Sequence, residues 1–554
     1  MAPQPPGAAP EATPAEATAA KVLAQHCVPC HGENGSSDGG FDFAQDLARL
    51  ARSPLVEPGD AAASRLYQRV AAGDMPPAGV TPRLEGSEVA ALKAWIDEGA
   101  KASEAAQRLI TRAEVKRWID EDLAKLSSKN RDKVVYFDMS HVYGGSTAGR
   151  TDTLRKAFFK LVNSVSNASE IAMPEAVNAE KTLFRVNIDT YGWQEGDLSQ
   201  LLAIHPFPLE ADQPAFPSPA DVDVKAQLQA PPVQTGTTVK YLHIDWFLKT
   251  ASRAPFYYEL LDMPSRLLLL EQKLGIDTVK NLEAAAVVRA GFANSQVAAQ
   301  QRVIERHASP HGAYWRTFEF GSSQGNKNVF QNPLGPGSIF ADVSERRFAA
   351  DGHEVIYHLP NGLLGFAIFN GDGNRLDVAP SGQNDGIEDN ATVNAGVSCM
   401  ACHKAGFIDK EDHVRAGATA FADWFTKDEM TLITSLYKDA ATVTAAIRAD
   451  SRRFHGALAA IELAATVDDP VSTAARRYME PMTVREAAAY LGLSSSELVE
   501  KVSVSDLVGQ LLAGHVAADS IDRQFWEQNF RQILSAFNAR EPSSERRWQA
   551  APTP

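Results

Sequence analysis

Apolar positions recur at helical spacing along several stretches of the chain. In "SEVAALKAWIDEGA" (87–100), Val89, Leu92, Trp95 and Ile96 fall on one face, with Ser87 placed to cap the helix and Gly99 to end it. Residues 15–27 and 59–73 read the same way, the second turning Leu66, Val70 and Tyr67 inward. Residues 152–166 set Leu154, Phe158, Leu161 and Val165 on one face, and helices are also predicted over 104–128, 237–252 and 264–275. Alternation of period two predicts strands over 182–193 and 301–320. From 353 to 380, alternating runs are punctuated by Asn361-Gly362 and by "NGDGN", the pattern of a β-meander. Asn370, Asp372 and Asn374 loosely resemble a calcium loop, but Arg375 stands where Gly should be and no Glu closes the loop, so a plain turn is expected. Residues 482–502 have a helix-turn-helix rhythm and are read as packing helices.

This order predicts a multidomain protein: an N-terminal all-α domain, a larger α+β unit of about 105–460, then C-terminal helices. The expected divisions are 1–19 as a disordered tether, 20–103, 104–350, 351–460 and 461–554, the last ending in a disordered tail. A chain of 554 residues is too long for one compact core. Its 44% hydrophobic and 22% charged content is that of an ordinary globular protein. No apolar run approaches the ~20 residues that span a bilayer. The net charge of −15 excludes a nucleic-acid partner, because phosphate would be repelled. The N-terminus lacks a basic segment followed by an apolar one, so an export signal, and with it any lipid-anchoring cysteine, is expected to have been removed.

All four cysteines fall in two copies of one pattern, "CVPCH" at 27–31 and "CMACH" beginning 372 positions later at 399. C-x-x-C-H is the attachment signature for c-type haem: two thiols form thioethers with the porphyrin vinyl groups, and the adjacent imidazole reaches the iron. With four Cys and 13 His in the chain, one copy arises by chance ~0.0007 times. A redox dithiol needs no following histidine, a zinc ribbon leaves both histidines unexplained, and a C-x-x-C disulfide is strained. Two covalently bound haem c groups are therefore expected, on Cys27 and Cys30 with His31, and on Cys399 and Cys402 with His403. Haem of this kind is attached on the exported side of the bacterial membrane, which predicts a periplasmic or extracytoplasmic location.

After the first signature comes a Gly-rich stretch (32–40), suited to a loop around the haem edge. "GDMPPAG" (73–79) then places Met75 44 positions after His31, with two prolines fixing the backbone behind it. A soft thioether ligand favours Fe(II) and raises the potential. Through "CVPCHG", "EPGDAAASRLYQRV", "GDMPPAG" and "EVAALKAWIDEGA", residues 20–101 resemble the planctomycete-type cytochrome c domain. The resemblance implies a small all-helical fold with a haem held by Cys27 and Cys30 and ligated by His31 and Met75. In that family the domain usually accompanies something larger, so it does not name a reaction.

No Met-Pro-Pro loop follows the second signature. Sixth-ligand candidates are Met430, Met479, Met482, His413, His455 and His515 downstream, and His307, His311 and His358 upstream; His307 is the preferred one. It sits in a cluster with Arg306, His311, Tyr314, Trp315 and Arg316, the residue types of a redox-active haem pocket, with arginines suited to buried propionates. Ordinary packing of a half-buried strand accounts for the same cluster. His141, His205 and His243 are expected to be structural groups with their hydrogen bonds satisfied.

Two covalent haems, with no phosphate loop, G-x-S-x-G or H-E-x-x-H, predict a di-haem c-type cytochrome transferring electrons to or from a redox protein or a small-molecule donor or acceptor. An alternative is a di-haem oxidoreductase, peroxidase- or oxygenase-like, in which the first haem feeds an open second haem. A third reading makes the middle of the chain a binding module for a partner enzyme.

Overall fold

The structure, a computed structural model, describes residues 13–32, 41, 43–44, 47–101, 108–145, 148–209, 239–294, 300–337, 339–379, 393–465, 468–503 and 507–538. The fold has an N-terminal all-α region, a central α+β unit with two sheets, and C-terminal helices.

In the first region, helix Pro14–His26 packs against helix Gly86–Asp97. Thr13 caps the former by accepting from Glu16 N (3.2 Å), and proline at the first position costs no hydrogen bond there. Val22, Leu23, Leu66, Leu92, Trp95 and Ile96 form a core of their own. The cap of the second helix is Glu85 rather than Ser87. The Glu85 side chain accepts from the backbone of Glu88, while Glu88 Oε2 accepts from Glu85 N (2.8 Å), and this reciprocal pair outcompetes a lone serine. The expected tether falls mostly outside the described residues, and Pro14–Ala19 are already helical. The Gly-rich stretch from 33 to 40 and the C-terminal tail from 539 also lie outside them.

The four-stranded sheet has the order β2-β3-β1-β4, with β1 Val134–Asp138, β2 Glu175–Ala176, β3 Leu183–Asn187 and β4 Tyr241–His243. β1 pairs antiparallel with β3 and parallel with β4. Every residue of β1 is buried, so "VVYFD" carries no alternation to announce it. β4 corrects the predicted helix 237–252: pairing with β1 holds Tyr241–His243 extended, and the helix begins only at Ile244, ending at Ala251.

The second sheet is antiparallel throughout in the order β10-β9-β8-β7-β6-β5: β5 Val288–Phe292, β6 Arg302–Ser309, β7 Gly312–Glu319, β8 Gly352–His358, β9 Leu364–Asn370 and β10 Arg375–Leu376. Gly362 turns the β8–β9 hairpin at φ +91°. The Asn370 side chain accepts from Asp372 N (3.1 Å) and Asn374 N (2.9 Å), so "NGDGN" folds as a side-chain-stabilised turn. One hydrophobic core joins β1, β8 and β9 to the C-terminal helices Pro470–Met479, Val484–Tyr490 and Arg523–Asn538. Helix Val484–Tyr490, from the helix-turn-helix stretch, packs on helix Ser140–Gly145. Among the described residues no helix is long and apolar enough to cross a membrane.

Trp95 is 1% exposed, and its indole N–H donates to Lys101 O at 2.7 Å. Trp95→Ala should destabilise the first region by about 3–5 kcal/mol, read as a lowered midpoint in urea unfolding followed by circular dichroism.

Candidate functional site

At the first signature, helix Pro14–His26 runs into Cys27 and a short helical turn, Val28–His31. Cys27 O accepts from Cys30 N (3.1 Å) and His31 N (2.7 Å). Helical backbone puts positions i, i+3 and i+4 on one face, so Cys27, Cys30 and His31 share a side. Cys27 is buried and Cys30 exposed. Burial, then the neighbouring Cys30, pushes the Cys27 thiol up to about 11, the opposite of the activated thiolate a redox dithiol needs. His31 Nδ1 lies 2.9 Å from Phe41 O. A carbonyl oxygen only accepts, so Nδ1 carries the proton and Nε2 presents a bare lone pair. The Phe41 ring stacks on the imidazole at 4.8 Å between centroids.

Met75 is 38% exposed, which rules out a core-filling role. Its loop is tied down by Arg83, whose guanidinium donates to Gly73 O (2.8 Å) and Pro76 O (3.0 Å). Sequence reasoning missed Arg83, because nothing in "VTPRL" says which carbonyls an arginine will reach.

The second signature repeats the arrangement in different surroundings. Helix Val397–Cys402 starts at Gly396, where φ is +95° and a Cβ would sit 2.4 Å from Ser252 O. Val397 N donates to that same carbonyl (2.8 Å). His403 N donates to Cys399 O (2.8 Å), so Cys399, Cys402 and His403 again share a helix face. Cys399 is half-buried against the main core, Cys402 is exposed, and Met400 between them points inward at 2% exposure. His403 Nδ1 donates to Gly406 O at 3.0 Å, which again leaves Nε2 as the acceptor nitrogen. Desolvation lowers the His403 pKa and keeps the ring neutral, with the Gly406 hydrogen bond opposing it.

The loop bearing Gly406 is braced by helix Ala440–Ala460. Ser451 Oγ accepts from Phe407 N (3.0 Å), His455 Nε2 donates to Ala405 O (2.8 Å), and Lys404 pairs with Asp468 just beyond the helix. Cys27 belongs to the first core and Cys399 to the main one, and among the described residues no cluster gathers the cysteines as metal ligands.

The 306–316 cluster is divided by the pleat. Arg306 pairs with Trp315, Trp315 with Ile356, and Ile356 with Phe366, so these four side chains share one sheet face. The His403 ring sits over that face, 6.0 Å from the Phe366 ring. Asp450 of helix Ala440–Ala460 accepts there from Arg306 (2.7 and 2.9 Å) and from the Trp315 indole (2.7 Å). His307 pairs with Tyr314 and therefore points to the opposite face. Its Nε2 donates to Glu305 (2.9 Å) and its Nδ1 accepts from Asn281 (3.1 Å). Burial would raise the Glu305 carboxyl, but the charge of Arg289 and the His307 hydrogen bond outweigh it and hold the group at about 2. Tyr314 donates to Glu271 (2.7 Å), Arg316 donates to Glu271 (3.3 Å) and meets His353 (3.0 Å), and His311 sits in the β6–β7 turn.

Among families of known proteins, Planctomycete cytochrome C matches residues 27–79, a span that holds Cys27, Cys30, His31 and Met75 and stops far short of the second signature. The chain thus contains a domain of this kind in that span. No curated protein and no solved structure matches the chain.

Gly406 has φ +96°, and a Cβ there would fall 2.8 Å from Ser451 Oγ. Gly406→Ala should cost about 1–3 kcal/mol in chemical unfolding. Gly456→Ala, near the C-terminal end of the bracing helix with open space around it, should be neutral or stabilising by about 0.5–1 kcal/mol.

Proposed function

We propose that this chain is a di-haem c-type cytochrome that carries electrons outside the cytoplasm, between a redox protein or a small-molecule donor and its acceptor. The observation that carries the reading is a repeated one. Both signatures set two sulfurs and an imidazole on one helix face, and both imidazoles commit Nδ1 to a backbone carbonyl. That second-sphere contact fixes the ring orientation and tautomer a metal-bound imidazole needs. Cys27 and Cys30 would hold one haem and Cys399 and Cys402 the other, with His31 and His403 as proximal ligands. Haem c, when bound, supplies a one-electron Fe(III)/Fe(II) couple. Met75, on the loop held by Arg83, would complete the first ligand set and raise its potential.

A second reading, a haem-dependent oxidoreductase with an open second site, is favoured by one specific observation. His307 has both ring nitrogens in hydrogen bonds. So does His358, whose ring meets Phe407: Nδ1 accepts from Ala313 N (3.1 Å) and Nε2 donates to Asp450 O (3.0 Å). Neither offers a lone pair without breaking its contacts. We therefore assign neither as the sixth ligand at His403.

Optical and EPR spectra with and without carbon monoxide test both readings. Two low-spin irons that ignore carbon monoxide support pure electron transfer. One high-spin iron that binds it supports the oxidoreductase. A spectrum without haem overturns both. Met75→Ala should lower the midpoint potential of the first haem on the order of 0.1 V, a fraction of the ~0.8 V that axial ligation spans, and leave the second unchanged.

A further inference from the structure

Asp138 ends β1 and His243 ends β4, and these residues are register partners on adjacent parallel strands. The carboxyl ends of parallel strands are where α/β folds place ligands. Helix Ser140–Gly145 begins two residues after Asp138 and brings His141 to the same spot. Asp138, His141 and His243 are 3%, 5% and 1% exposed, and one potential ligand atom from each lies within 4.8 Å of the others.

The hydrogen bonds around them fix where the protons are. Asp245 accepts from Trp246 N (2.9 Å), from the Tyr490 hydroxyl (2.5 Å) and from His141 Nε2 (3.0 Å). Tyr241 donates its hydroxyl proton to Asp138 (2.6 Å), so it can only accept from His243 Nε2 (3.0 Å). Both imidazoles are thus protonated at Nε2, and both Nδ1 atoms are buried with no hydrogen-bond partner. Two histidines expected to be satisfied structural groups each carry an unused lone pair in the interior, where polar atoms are almost always paired. Asp245 stands behind His141 as a carboxylate does behind a metal-bound histidine. Asp245 also lines a cleft together with Val142, Arg150, Arg477, Tyr478 and Arg523.

We propose that Asp138, His141 and His243 bind one divalent transition-metal ion, through a carboxylate and two imidazoles, at a site separate from both haem signatures. Nitrogen and oxygen donors of this kind suit zinc and its first-row neighbours rather than calcium or magnesium. The two rings are stacked, with centroids 4.1 Å apart and planes 17° from parallel.

The test uses full-length protein carrying its covalent cofactors, stripped with chelator, dialysed against zinc chloride and analysed for retained zinc. The expected result is one zinc per chain, with an X-ray absorption spectrum of nitrogen and oxygen ligands at about 2.0–2.2 Å. His141→Ala and Asp138→Asn should each weaken zinc binding about tenfold or more. His141→Gln keeps most of the side-chain bulk, serves if the alanine variant fails to fold, and should give the same loss. Failure of the wild-type chain to retain zinc, unchanged binding in the variants, or a sulfur shell at about 2.3 Å overturns the proposal.

Discussion

A hydrogen bond from an imidazole Nδ1 to a main-chain carbonyl is the contact on which this account turns. A carbonyl oxygen cannot donate, so where it meets Nδ1 that nitrogen carries the proton, and in a neutral ring with nothing else on Nε2 the lone pair there is left for a ligand. Both signature histidines make that contact, by unrelated means. Phe41 O supplies it at the first signature, from a residue ten positions on whose ring also lies over the imidazole. Gly406 O supplies it at the second, three residues on, from a backbone conformation that favours glycine, with a long helix packed behind it. Two different local folds thus hold the two signature imidazoles in the same tautomer.

The surroundings of the two signatures differ in kind. The first lies in a small helical region with its own core, matched over 27–79 to the planctomycete family. The second is held between helix Pro470–Met479, the Ser252 carbonyl and the β9 face of a six-stranded sheet. Asp450 gathers Arg306 and Trp315 on that face, and the Trp315 ring meets Phe407, four residues past His403. Whatever the second site does, its rigidity comes from a sheet and a long helix rather than from a cytochrome-sized bundle.

Much of this was legible in the sequence, for reasons that can be named. The attachment residues are contiguous, so their helical geometry follows from spacing alone. Amphipathic helices such as 87–100 and alternating strands such as those of 301–320 declare themselves by period. β1 did not, because a strand buried on both faces has no alternation, and Tyr241–His243 was hidden because three residues before a helix carry too little pattern. The 306–316 cluster is adjacent in sequence but is split between two faces, since neighbours on a strand point opposite ways. The unpartnered nitrogens of His141 and His243 depend on Tyr241, Asp245 and Tyr490, the last of these some 250 residues distant, and only the fold brings them together.

The most direct measurement is peptide mapping of the matured, denatured protein by mass spectrometry. The account predicts that the peptide containing Cys27 and Cys30 and the peptide containing Cys399 and Cys402 each carry the added mass of one haem, with no cysteine left for alkylation. Recovery of either peptide as bare thiols, or as an internal disulfide, would contradict it.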